Sequence, residues 1–103
     1  NICKKYPNNQ DAFFQKGVQL AELGEHKKAL DVFDDILRKF KDNVNVIYAK
    51  SRSKAALEMY PEALELLKQA VSQNPKIIRV WAKEEKIFEK LYDNDQFRKI
   101  VKL

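Results

Sequence analysis

The sequence predicts an all-α chain built from stacked helix–turn–helix hairpins, and three observations carry that expectation. Apolar residues recur at helical spacing, as in Leu30, Phe33, Ile36–Leu37 and Phe40. Only two glycines and three prolines interrupt the 103 residues, which leaves few turns between long periodic segments. The pattern also returns every 34 residues. The β-branched runs "VNVI" and "KIIRV" are short and do not alternate strictly, which speaks against strands.

The period is read position by position. Pro7 meets Lys41 and Pro75, and Tyr6 meets Phe40. Phe13 meets Ile47 and then Trp81, while Gly17 meets Ser51. Ala29–Leu30 meets Ala63–Leu64, and Phe33 meets Leu67 and Val101. Ile2 meets Ile36 and Ala70, and Cys3 meets Leu37 and Val71. Chemical type persists at apolar positions and is lost elsewhere, as stacking of like units requires.

Each unit divides into two helices. Residues 1–9 read as the end of a preceding repeat, followed by repeats at 10–43 and 44–77 and a degenerate or truncated one at 78–103. The first helices are expected at 10–23, 44–57 and 78–91, and the second at 26–40, 60–73 and 94–102. Asn9 and Asn43 suit helix N-caps, because their side chains accept from free N–H groups of the next turn. Gly24 ends a helix where a positive φ is wanted, and Pro61 sits in a first turn, where it costs nothing. Lys54 stands in series with the apolar Leu20 and Phe88, so its stem is expected to snorkel.

Ala29 and Ala63 lie on the apolar stripes of the second helices, near the turn. Antiparallel helices joined by a short turn are closest there. A methyl group lets the backbones approach, and Phe33 and Leu37 fill the wider space beyond. Phe97 takes the equivalent place in the last unit, so that unit is expected to be splayed or capped differently.

Composition bounds the function. The chain is 45% apolar and 34% charged, which suits one small domain with a real core. Its net charge is +5 and its pI about 9.3, but 20 basic residues are interleaved with 15 acidic ones, so nucleic acid is not demanded. Nothing approaches the ~18 consecutive apolar residues of a membrane span. The start "NICKK" has no Met and begins inside the pattern, so the chain reads as a fragment of a longer protein, with a cytoplasmic setting expected. The single cysteine, Cys3, excludes an internal disulfide.

No catalytic constellation emerges, and neither an enzyme activity nor a cofactor or metal is expected. No glycine-rich phosphate loop is present. His26 reads as inter-helix packing at a turn and Cys3 as a small core residue. "DND" at 93–95 lacks the glycine and late glutamate of a calcium loop and reads as a capping turn. Asp31, Asp34 and Asp35 read as solubilising charges.

The stretch "AFFQKGVQLAELGEHKKALDVFDDIL" resembles the tetratricopeptide repeat over its full length, and "VIYAKSRSKAALEMYPEALELLKQAVSQNP" is similar to it as well. In "VWAKEEKIFEKLYDNDQFRKIVKL" Trp81 and Phe88 fit, but Glu85 replaces the small residue and Phe97 the alanine. Lys41 stands where that family usually has proline. The resemblance implies a right-handed α-solenoid of about three repeats. It also implies a non-enzymatic protein-interaction scaffold whose first helices line a concave groove.

Carried onto this sequence, the resemblance gives that groove an apolar, aromatic part from Phe14, Val18 and Tyr48 and a basic part from Arg52, Arg79, Lys83 and Lys86. Such a groove suits a peptide with acidic groups and an apolar anchor. Arg79 and Lys83 look like the basic half of a two-carboxylate clamp, although Val18 and Ala49 stand where that clamp has asparagines. The plainer reading of Arg79, Lys83 and Lys86 is a solvated face paired with Glu84, Glu85 and Glu89, and that of Phe14 and Tyr48 is inter-repeat packing. Trp81 reads as core. Ile2, Tyr6, Ile100, Val101 and Leu103 are candidates for self-association through open repeat ends. Alternatives are a half-repeat helical module in RNA processing and a docking segment of a larger enzyme.

The role given to Ala29 is testable: Ala29→Leu overpacks the helix–helix contact and costs about 1–3 kcal/mol. A thermal melt of the variant that matches the parent counts against the pairing.

Overall fold

The computed structural model describes residues 10–103. Six α-helices and one 3₁₀ helix make up the described chain. These are α1 (Gln10–Glu22), α2 (His26–Lys39), α3 (Val44–Ala56), α4 (Tyr60–Gln73), α5 (Pro75–Glu84), the 3₁₀ helix (Lys86–Leu91) and α6 (Asp95–Val101). Ile2, Cys3, Tyr6, Pro7 and the expected cap Asn9 lie outside the described residues.

Local chemistry sets the boundaries. The Asn43 carboxamide accepts from the Val46 N–H at 3.3 Å, and that of Asn94 from the Phe97 N–H at 2.9 Å. Gly24 has φ +83, and its N–H bonds to the Ala21 carbonyl while that of Glu25 reaches Leu20. This is the paired C-terminal closure that needs a left-handed residue. One period later Glu58 takes φ 62, with Glu58 N–H on Ala55 and Met59 N–H on Leu20's counterpart, Lys54. Pro61 lies in the first turn of α4.

Neighbours along the chain pack against one another: α1 on α2, α2 on α3, and α3 on α4, with α4 then meeting both α5 and α6. The result is elongated, 44 × 26 × 21 Å. One apolar cluster gathers Ala29, Phe33, Ile36, Val46 and Ala49 under α1. A second joins α3, α4, α5 and α6 around Leu67, Ile78, Phe88, Phe97 and Val101. Leu37 touches both, so the core is continuous from hairpin to hairpin.

Side-chain size governs how closely each hairpin closes. A Cβ on Gly17 would stand 2.5 Å from Cε1 of Phe33, so α1 rests directly on that ring. Ser51, wholly buried, donates its hydroxyl to the Ala63 carbonyl at 2.7 Å, so α3 touches the α4 backbone. Ala29 and Ala63 are buried on the facing helices.

Polar residues at otherwise apolar positions find partners. Lys54 buries its stem and reaches Glu62 with its ammonium at 3.0 Å, as snorkelling predicts. Lys50 pairs with Asp34 at 2.6 Å, so Asp34 ties α2 to α3 as well as solvating its helix. His26 Nδ1 and Ser53 Oγ share a hydrogen bond of 3.3 Å between consecutive hairpins.

The third hairpin departs from the expected pattern. A first helix was expected at 78–91, but α5 begins at Pro75, with Asn74 alone separating it from α4. It ends at Glu84 and gives way to the 3₁₀ helix. Strict repetition would turn Trp81 and Glu85 inward, as Ile47 and Ser51 are. Instead Ile78 and Ala82 are fully buried, and Trp81 is 42% exposed. Ile78 and Ala82 keep the places of Val44 and Tyr48, but Trp81 does not follow Ile47 into the core. The physical reason is Glu85, whose carboxylate cannot take the wholly buried place of Ser51 without a partner. Trp81 is therefore not core. Ala82 is core, and so is Ala55. Val101, expected on an open end, is fully buried, whereas Leu103 is half exposed. Phe97 is fully buried against Phe88 and Tyr92, each ring centroid 5.7 Å away.

The Gly17 contact yields a double-mutant test. Gly17→Ala gains about 1 kcal/mol of helix propensity and incurs about 1–3 kcal/mol of overpacking against Phe33, so the expected result is a lower melting temperature. In a Phe33→Leu background the clash is gone, and Gly17→Ala becomes neutral or stabilising. Additive effects in chemical denaturation would contradict the contact.

Candidate functional site

α1, α3 and α5 stand side by side and leave a cleft of about 460 Å³ between them. Phe14 and Val18 contribute from α1, Asn45, Tyr48, Ala49 and Arg52 from α3, and Trp81, Glu84 and Glu85 from α5 and its end. A smaller hollow of about 210 Å³ continues the cleft past Val18, Ala49 and Arg52 toward Glu22 and His26.

The cleft is aromatic along its floor and wall. Tyr48 is 7% exposed and packs its ring 5.4 Å from Trp81 and 6.0 Å, edge-on, from Phe88. Phe14 lies 6.0 Å from Phe33, so it is half committed to packing between α1 and α2 and half to the cleft.

Charge in the cleft is mostly neutralised in place. Arg52 Nε lies 2.8 Å from Glu85 Oε1, both side chains being largely covered. The N–H is not aimed at that oxygen, so the contact is an ion pair rather than an aligned hydrogen bond. The other Glu85 oxygen accepts from the Ile87 N–H at 3.4 Å and starts the 3₁₀ helix. Glu84 makes no ion pair or side-chain hydrogen bond among the described residues, so its negative charge is left over at the rim.

The Tyr48 hydroxyl is buried and has no hydrogen-bond partner among the described residues. Burial pushes its pKa well above the usual tyrosine value. The Glu85 charge adds to the rise, and Arg52 opposes it.

Of the residues expected in the groove, Phe14, Val18, Tyr48 and Arg52 come together. Arg79 does not join them: its Nε donates to the Ile100 carbonyl at 3.1 Å and ties α5 to α6. Lys83 and Lys86 are exposed and absent from the cleft wall, and the Lys83 carbonyl accepts from the Tyr92 hydroxyl at 3.0 Å. Trp81, Glu84 and Glu85 stand where a basic half was expected. Their one sequence signal is Glu85 itself, a carboxylate in series with the small Gly17 and Ser51.

Tyr48→Phe removes an orphaned buried polar atom, whose desolvation costs about 1–3 kcal/mol, and is expected to raise stability. Because the folded-state pKa is raised, the unfolded chain loses the proton first. Native stability therefore falls as pH rises past the ordinary value of 10.0. The advantage of the variant over the parent in urea denaturation should widen between pH 8 and pH 11. A constant or shrinking advantage refutes the burial assigned to this phenol.

Among the described residues no three His, Cys, Asp or Glu side chains converge to hold a metal ion, and no helix is long and apolar enough to cross a membrane. No curated protein and no solved structure matches the chain. A family model described as tetratricopeptide repeat matches residues 20–87, which is more than half of the sequence, and the chain belongs to that family.

Proposed function

We propose that the chain is a non-enzymatic scaffold that holds a segment of a partner polypeptide in the cleft between α1, α3 and α5. Tetratricopeptide repeats generally mediate protein–protein interaction, and a protein partner follows at that level from family membership. The observation that supports this particular site is Trp81, the sole tryptophan, left 42% exposed against Tyr48 on the wall of a cleft. Aromatic side chains in partly enclosed hollows are the usual anchors of binding energy at protein interfaces.

The apolar anchor of the expected ligand fits this wall. Its acidic groups do not, because Arg52 is already paired with Glu85, and Arg79, Lys83 and Lys86 lie off the wall. Among the described residues a role in RNA recognition finds no stripe of cations with exposed aromatics.

Extended, end-blocked dodecapeptides carrying one leucine or phenylalanine anchor should include sequences that bind, as read by fluorescence anisotropy. Trp81→Ala should weaken them at least tenfold with helicity unchanged. Leu23→Ala, at an exposed position outside the cleft, should leave the affinity as it was. Binding that ignores Trp81→Ala, or no binding in the whole panel, overturns the assignment.

A further inference from the structure

We infer that the cleft selects a single basic side chain, Lys or Arg, flanked by apolar residues in the partner segment. This rests on the cleft reading above and names the chemistry of its occupant. Three observations carry it. Trp81, 42% exposed on the cleft wall, is the side-chain type that attracts a cation most strongly. Glu84, one turn beyond Trp81, lies on the same wall and has no side-chain ion pair among the described residues. It is also the last residue of the ten-residue α5, so the negative end of that helix dipole falls at the same place.

The cation on the wall does not oppose this. Arg52 is within 2.8 Å of Glu85, and the pair is neutral toward an occupant. With Arg52 and Glu85 cancelled, Glu84 sets the sign of the cleft, against a chain whose net charge is +5. That contrast restricts the ligand further. A run of lysines would be repelled by the protein as a whole, whereas one cation between apolar neighbours meets the local carboxylate and leaves its stem on the aromatic wall.

The test uses octapeptides with a central Leu-Lys-Leu, its Leu-norleucine-Leu analogue, which keeps the stem without the ammonium, and Leu-Glu-Leu, each blocked at one end, labelled with the same fluorophore at the other and titrated against the chain by fluorescence anisotropy. The lysine peptide is expected to bind about five- to tenfold more tightly than the norleucine one, with the glutamate peptide weakest. Glu84→Gln should reduce the lysine preference about three- to fivefold, and Glu84→Lys should favour the glutamate peptide. Added salt should narrow the gap between lysine and norleucine. Equal affinity for lysine and norleucine, with binding still lost in Trp81→Ala, overturns the charge selection and leaves the cleft reading standing. Failure of all three peptides to bind overturns both.

Discussion

The closeness of the two helices within a hairpin is the constraint on which the rest of the molecule depends. It is set by what can stand between them. At Gly17 there is no room for a Cβ beside Phe33, and at Ser51 there is room for a hydroxyl bonded to the Ala63 carbonyl. Both solutions leave the facing helix an alanine, Ala29 or Ala63, with no exposure to speak of. The bulky Phe33, one turn on, then carries α1 at Gly17 and also joins Val46 and Ala49 of the next hairpin in one apolar cluster. The stacking of hairpins thus follows from the closure of each.

The third hairpin shows what happens when the constraint cannot be met. Glu85 and Phe97 replace the small pair, and both are too large for contact at that distance. Phe97 keeps its place in the core, so Glu85 must leave. The α-helix stops at Glu84, the Glu85 carboxylate caps the following turn and pairs with Arg52, and Trp81 is left exposed while Ala82 stays buried. The exposed tryptophan and the unpaired Glu84 follow directly from that failure. A feature that breaks the repeat is therefore also what furnishes the cleft, as local departures from fold logic at functional sites lead one to expect.

Most of the fold was legible because the 34-residue rhythm reports directly on packing. The boundaries of α1 to α4 lie within a residue or so of expectation, and Asn43, Gly24 and Pro61 act as their chemistry says they should. Glu58 shows the limit of reading by residue type: nothing about glutamate announces a left-handed turn, and only its place one period after Gly24 does. The cleft was half legible. Phe14, Val18, Tyr48 and Arg52 lie on helices that keep the period, so transferring positions from one unit to the next worked. Arg79, Lys83 and Lys86 were placed by the same transfer onto a segment where the helix breaks at Glu84 and Arg79 bonds to the Ile100 carbonyl, so none of the three lines the cleft. The sequence did flag Glu85 and Phe97 as misfits. Converting a misfit into a helix break, however, requires knowing which of the two yields, and that is decided by burial in three dimensions.

Arg52 illustrates why charge is harder to read than periodicity. On its helix it is one of several basic residues, and its position alone makes it a ligand-binding candidate. Its worth to a ligand depends on whether another carboxylate has already claimed it. An exposed ion pair contributes only about 0.2–1 kcal/mol and could be traded for a ligand's acid. The Arg52–Glu85 pair is partly covered and sits beside the buried phenol of Tyr48, and Glu85 also caps the 3₁₀ helix, so surrendering it would strip a partner from a half-buried charge and a cap from the next turn. The pair is therefore part of the scaffold, and Glu84, on the same cleft wall, makes no ion pair among the described residues.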